Sequence, residues 1–399
     1  VFWYERWVRN LNLNQLTTYL PDNAGDIYDA DRYAQAQSYS RENAKLAKWS
    51  SIVTLISTLL MVWFGTYALD SWIKERVSND TLIIMIFFTA LSVGATLLSV
   101  PFGLWHTFVI EKKFGFNTTS VFTFVKDLFA NTFISVVTSL LMIWIIWLAF
   151  CFTGRWFWVT ATVGMVAFSV FMSAFYTTLI VPLFNKLTPI PDGELKTEIQ
   201  KYCNQVKFPV NNVYIMDGSK RSTKANAYFS GLGQKKDIVL FDTLVNNYTV
   251  QQVVAVLAHE VGHYKKNHIF WGLVLEAAYY TGLFYLLSYV LNDVEPSKAF
   301  GIRDGFNFHI NLFAFAIVIG PLSILFGIVN NFFSRMAEYQ ADAYAAKTWY
   351  AEPMIETLKK LSADGLSNLA PHWLYVMTYY SHPPVLKRLK ALEKYKLTK

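Results

Sequence analysis

Residues 257–291 read LAHEVGHYKKNHIFWGLVLEAAYYTGLFYLLSYVL. The first part sets His259 and His263 four residues apart, with Glu260 after the first, and runs into an apolar stretch, Ile269 to Leu291, long enough to cross a membrane. Upstream, TVQQVVAVLA at 249–258 carries apolar residues at helical spacing behind Thr249, a good helix cap, so the histidines are expected on a helix. On a helix the two imidazoles share a face and can address one metal ion, while Glu260 stands within reach of a water on that ion. Zinc suits two imidazoles plus a carboxylate, and Glu260 is then the general base. The plain alternative is a pair of helix-face histidines with ordinary polar partners.

The whole chain has the composition of a membrane protein. Of its 399 residues 54% are hydrophobic, 17% aromatic and only 16% charged, and the mean hydropathy is +0.28; soluble domains are far more polar. Six apolar stretches are long enough to span: Ser51 to Trp72, Leu82 to Ile110, Thr132 to Phe152, Trp156 to Leu183, Ile269 to Leu291 and Phe308 to Phe332. The opening VFWYERWVRN reads as the end of a further membrane helix whose start is absent. Six passes put residues 1–50, the loop 111–131, the region 184–268 and the C-terminal segment on one side. That side holds 30 of the 35 Lys and Arg residues, against Lys74, Arg76, Arg155, Lys298 and Arg303 opposite, which makes it cytosolic. Of the Asn-x-Ser/Thr sequons at Asn79, Asn117 and Asn247, only the first then faces the lumen. Cys151 and Cys203 fall on opposite sides and are not expected to pair. The net charge of +7 includes no basic run with interleaved aromatics, so nucleic acid is not an expected partner.

The chain divides into residues 1–183, a truncated helix followed by four spans; 184–268, a cytosolic insertion; 269–332, a helical hairpin; and 333–399, a cytosolic C-terminal region. Within the insertion, GELKTEIQKYCNQV has helical spacing, while NNVYIM, ANAYF and DIVLF are short strand-forming runs, giving a small α+β subdomain. A metal site needs a third protein ligand. Ile269 stands ten residues beyond His259, so an extended three-histidine motif is excluded. SRMAEYQADAYA begins at Ser334 at the end of the last span and sets Glu338 and Asp342 four apart on one helical face. Glu338 can complete a two-His, one-Glu site, with Asp342 orienting a ligand histidine. Arg335 sits beside this cluster, as a supporting neighbour or as the partner of an acid at an ordinary solvated helix end.

Several blocks together resemble the type I CAAX prenyl endopeptidases, integral membrane zinc metalloproteases of the endoplasmic reticulum and inner nuclear membrane. They are FVIEKKFGFN at 108–117, PLFNKLTPIPDGEL at 182–195, KANAYFSG at 224–231, HEVGH at 259–263, SRMAEYQAD at 334–342 and YYSHPPVLKRL at 379–389. The resemblance implies an α-helical polytopic fold with about seven transmembrane helices around an internal chamber, and a cytosolic α+β zinc-metalloprotease subdomain. It implies one Zn2+ on His259, His263 and Glu338, catalysis by Glu260, and His382 and Arg388 near the oxyanion. It also implies removal of the last three residues after a prenylated cysteine; some members cut the substrate again nearer its N-terminus. The expected partners are prenylated CAAX-terminal proteins and membrane lipid. The chain departs from the family pattern at Lys387, where a glutamate usually precedes the arginine.

Asn226 and Ala227 match the family's substrate-binding edge, which would hold a peptide through main-chain hydrogen bonds; by itself the run suits an interior strand equally well. Glu276, inside a predicted span, is expected to face a chamber or to be capped by a polar neighbour. Pro321 is expected to kink the last span. Two other readings stay open at this point: a membrane quality-control zinc protease using the same site, and an inactive scaffold that keeps the fold.

Overall fold

The computed structural model describes residues 1–17, 19–21, 24–231, 236–303 and 305–396. After α1 (Phe2–Asn14), α2 (Ala30–Leu60) begins at Asp29, whose carboxylate accepts the Arg32 N–H at 2.7 Å. α2 continues through a π-helical turn at Met61–Gly65 into α3 (Thr66–Lys74). Next come α4 (Asp80–Leu104), itself followed by a π-helical segment Trp105–Glu111, then α5 (Val121–Thr153), α6 (Phe157–Leu179) and the single turn α7 (Val181–Phe184).

The stretch Val121–Phe184 is 64 residues of helix. At 1.5 Å per residue it would be about 96 Å long, roughly three times the hydrocarbon thickness, so it must fold back. The reversal is at Gly154, whose φ of +49° suits a residue without a Cβ. α5 and α6 then pack so closely that a Cβ on Gly164 would stand 2.6 Å from Ile145. With α11 (His268–Leu291) and the pair α13 (Phe308–Val318) and α14 (Gly320–Thr348), six passes result. α12 (Glu295–Ala299) lies in the loop between α11 and α13. α13 and α14 meet at a bend of 56°, with Pro321 in the first turn of α14, where a missing N–H costs nothing. The 13 residues of α1 rise about 20 Å, short of a crossing, so a complete seventh pass is not seen among the described residues.

These helices form a wall one layer thick. Only 6–17% of each of the four long apolar windows is buried within the protein. α4 packs on α5, α5 on α6, α6 on α11 and α11 on α14, and the circuit closes through the C-terminal helix α16 (Trp373–Tyr379), α1 and α2 back to α4. α13 ties α11 to α4 across one end. There Asp70 and His309, both buried, join through a 2.7 Å hydrogen bond. Lys74 completes the lock, 2.8 Å from Asp70 and donating to Asn307 at 2.6 Å.

At the opposite end stands a four-stranded sheet of order β1-β2-β4-β3. β1 (Leu187–Pro189) is antiparallel to β2 (Val210–Met216), β2 parallel to β4 (Lys236–Phe241), and β4 antiparallel to β3 (Ala227–Ser230). β4 is central and carries the run Ile238, Val239, Leu240, all buried. α10 (Val250–Lys265) packs on the sheet at β3 and α9 (Asp242–Asn247) at β4, while α8 (Glu194–Gln205) and α15 (Ala351–Asp364) pack on α10, and α17 (Val385–Glu393) on α15. Ile199, Tyr202, Val254, Leu257, Leu358 and Ala345 of α14 share one core with the sheet.

The three expected strands and the expected helix are present. β1 went unread because three residues ending in proline show no alternation. Replacing His309 by alanine removes a hydrogen bond to the buried Asp70 carboxylate, and is expected to cost about 2 kcal/mol. Thermal unfolding in detergent, with and without the substitution, measures this.

Candidate metal centre

Helix α10 starts in a capping box: Thr249 Oγ accepts the Gln252 N–H at 3.3 Å, and the Gln252 side chain accepts the Thr249 N–H at 3.1 Å. Its apolar positions 253, 254, 257, 258 and 261 are all buried, which fixes the rotation of the helix. That rotation turns His259 and His263 toward α14. The two helices approach at Gly262, where a Cβ would stand 2.9 Å from Ala341 Cα and 3.1 Å from Tyr344 Cβ. Any side chain there would push the helices apart. In the sequence only the place of Gly262 in the gap between the two histidines signals this role.

Across this contact His259 Nε2 and His263 Nε2 are 3.2 Å apart. Glu338 Oε1 lies 3.3 Å from His263 Nε2, and Glu338 Oε2 lies 3.5 Å from His259 Nε2. One ligand atom from each residue falls within 4.8 Å of the others. Donors about 2.0–2.1 Å from a tetrahedral zinc would be about 3.3 Å apart, so the spacing fits. Glu338 Oε2 is buried without a hydrogen bond of good geometry among the described residues, although Arg388 Nη1 is 3.1 Å away. An orphaned carboxylate oxygen beside two imidazoles is what a cation site leaves when only protein atoms are counted.

The surroundings are strongly charged. Asp342 Oδ1 accepts from His259 Nδ1 at 2.9 Å, and Arg388 grips the same carboxylate through Nε and Nη2 at 2.8 and 2.6 Å. Burial opposes a charge on His259, but its hydrogen bond to Asp342 and its closeness to the Glu338 carboxylate outweigh burial and push its pKa up to about 9. Glu260 follows His259 on α10, and burial raises its carboxyl above the usual range. His382 is exposed, with Nε2 3.2 Å from Glu338 Oε1 and Nδ1 2.9 Å from Ser381 Oγ.

Two expected placements differ. Arg388 is buried, and all three of its guanidinium nitrogens face Asp342 or Glu338, so it braces carboxylates where an oxyanion donor was expected. Spacing alone gave no sign that Arg388 would turn inward to meet Asp342. Arg335 touches neither an acid nor a ligand among the described residues: it donates to the carbonyls of Val376 and Tyr380 at 3.1 and 2.7 Å, fixing the segment that leads to His382.

β3 is an edge strand, bonded on one side to β4, which decides against the interior reading of ANAYF. The Phe241 N–H reaches the Asn226 carbonyl at 3.1 Å, so by antiparallel alternation the main-chain groups of Ala227 and Phe229 face the open edge. Asn226 Oδ1 meanwhile accepts the Ala227 N–H at 2.9 Å. The strand is anchored by Lys224, unread in the sequence, whose Nζ reaches Tyr39 Oη and Glu111 Oε2, both at 2.9 Å. Glu276 is capped by Ser169 Oγ at 2.7 Å across α11 and α6.

These features define an integral membrane metalloendopeptidase. Residues 10–186 match the family described as CAAX prenyl protease N-terminal, five membrane helices, and residues 189–396 match peptidase family M48. The chain belongs to family M48, in its CAAX prenyl protease branch. It is 31% identical to a CAAX prenyl protease 1 homolog of Arabidopsis thaliana over 96% of this chain and 93% of that one. It is 30% identical to CAAX prenyl protease 1 of Saccharomyces cerevisiae over 94% and 89%. Among solved structures it superposes on Ste24p of S. mikatae with a TM-score of 0.92 and 29% identity, covering 98% of this chain and 96% of that one.

A Gly262→Val substitution is expected to separate α10 from α14 and lower bound metal and turnover at least about tenfold, as a misplacement near 1 Å does in other sites. Elemental analysis of folded protein and peptide cleavage measure the two effects.

Proposed function

We propose that this chain is a zinc-dependent endopeptidase that removes the three C-terminal residues from prenylated CAAX proteins. The observation that carries the reading is the His259, His263 and Glu338 cluster, lying where a closed circuit of apolar helices ends and an open strand edge begins. The similarity of the chain to CAAX prenyl proteases over nearly its full length supports it.

His259 and His263 would hold the ion, with Glu338 as the third ligand. A zinc ion bound there supplies Lewis acidity, polarising the scissile carbonyl and making water a nucleophile near neutral pH. Glu260 takes the proton of the attacking water and returns it to the departing amine; its raised pKa suits both halves of that transfer. Asp342, held by Arg388, keeps His259 in the tautomer that presents Nε2. His382, exposed beside Glu338, donates to the carbonyl oxygen as negative charge develops on it.

The peptide lies extended along β3. Asn226 releases the Ala227 N–H, and the main-chain groups of the edge pair with the substrate whatever its side chains. The prenyl tail occupies the space inside the helical wall, where each methylene removed from water contributes about 0.8 kcal/mol. The site faces the cytosol, following the Lys and Arg distribution, and the membrane is that of the endoplasmic reticulum, with the inner nuclear membrane continuous with it.

Glu260→Gln should lower turnover by about 10²–10⁴ while leaving metal content intact. A farnesylated CAAX peptide should be cut with a far lower KM than its unprenylated twin. Equal cutting of both would transfer the assignment to a general membrane protease. With a pKa of about 9, His259 is protonated at pH 7 in metal-free protein, so zinc uptake should release close to one proton from it, and less as pH rises past 9. Calorimetry in buffers of different ionisation enthalpy counts the protons.

A further inference from the structure

A ligand histidine is held by both nitrogens, and the two histidines here are held differently. His259 has the Asp342 carboxylate behind it. Behind His263 stands a third histidine: His268 Nδ1 is 3.0 Å from His263 Nδ1, and His268 Nε2 is 3.1 Å from Gln340 Oε1. We propose that His268 and Gln340 are positioning residues, an uncharged relay that fixes the ring and tautomer of His263 as a metal ligand. This deepens the proposed function and rests on its ligand set.

The proton positions follow from the contacts. With Nε2 of His263 turned to the metal, its proton sits on Nδ1, which donates to His268 Nδ1. That nitrogen is an acceptor, so the His268 proton sits on Nε2, the atom facing the Gln340 carbonyl oxygen. Each link has one donor and one acceptor, and reversing one link breaks the others.

The backbone makes the arrangement possible. α10 ends at Lys265, and Asn267 adopts a left-handed conformation at φ 57°, which asparagine tolerates better than most residues. The chain reverses there and brings His268, five residues on, back against His263. His268 is also the first residue of the 24-residue helix α11, whose positive end disfavours a charged imidazole. Gln340 comes from α14, on the turn between Glu338 and Asp342. One stretch of α14 therefore supplies a ligand and the outer support of both histidines. The asymmetry has an electrostatic sense: a second carboxylate behind His263 would add negative charge to a site that already holds Glu338, Asp342 and Glu260, and so weaken the electrophile.

The test is zinc affinity of the full-length protein in detergent, by competition with a chromogenic chelator. His268→Phe is expected to weaken binding about 10–100-fold, the usual effect of losing such a support. His268→Asn, which keeps an acceptor oxygen near the Nδ1 position, should recover most of the loss. Gln340→Leu, at an exposed position that tolerates substitution, should weaken binding severalfold in the wild-type background and have no effect beside His268→Phe. If His268→Phe does not fold, the Gln340→Leu result decides. Wild-type affinity in His268→Phe, an asparagine variant no better than phenylalanine, or no loss with Gln340→Leu alone would overturn the relay. A wild-type protein that binds no zinc would instead sink the ligand set beneath it.

Discussion

The approach of α10 to α14 at Gly262 and Ala341 is the contact on which the rest depends. The chain between these helices makes most of two membrane passes before returning, and an opposing pair of small residues lets them meet closely enough for side chains from both to share one point. Glycine elsewhere in a helix costs about 1 kcal/mol against alanine. Here that cost is offset because a Cβ would displace Glu338 and Asp342 from the two imidazoles.

Bringing those groups together creates an electrostatic problem that the neighbouring residues solve. Glu338 and Asp342 are both buried and both within about 3 Å of Arg388, and two unpaired carboxylates in such a place would be strongly destabilising. Arg388 answers one part, with all three nitrogens engaged. The histidines answer another, and a divalent ion would answer the remainder. Arg388 is therefore occupied in holding the two carboxylates, while His382 stays exposed beside Glu338. Arg335 has an equally indirect part, since its grip on two carbonyls sets where the segment bearing His382 can go.

Much of this was legible in the chain. The apolar windows, Thr249 as a cap, the strand runs and the turn at Pro321 depend on local pattern, and local pattern survives folding. Glu338 and Asp342 were legible because helical spacing and topology together put them on the right face and side. What escaped depends on contacts between distant elements: the partners of Arg388 and Arg335, the anchoring of Lys224 by Tyr39 and Glu111, the closeness at Gly262, and the return of His268 onto His263. The last was written in one residue, Asn267, but nothing in the sequence says that its backbone takes the left-handed form. The edge position of β3 was likewise undetermined, because a four-residue run says nothing about which strands flank it.

Helix α14 runs unbroken for 29 residues from Gly320, at the bend, to Thr348. Its membrane half and its ligand-bearing half are thus one stiff rod, pivoted at its start. Glu338 lies about 27 Å along it, so rocking by about one degree carries that carboxylate about 0.5 Å, the tolerance that positioned chemistry usually allows. Whatever leans on the lipid-embedded part of this lever is felt at its tip.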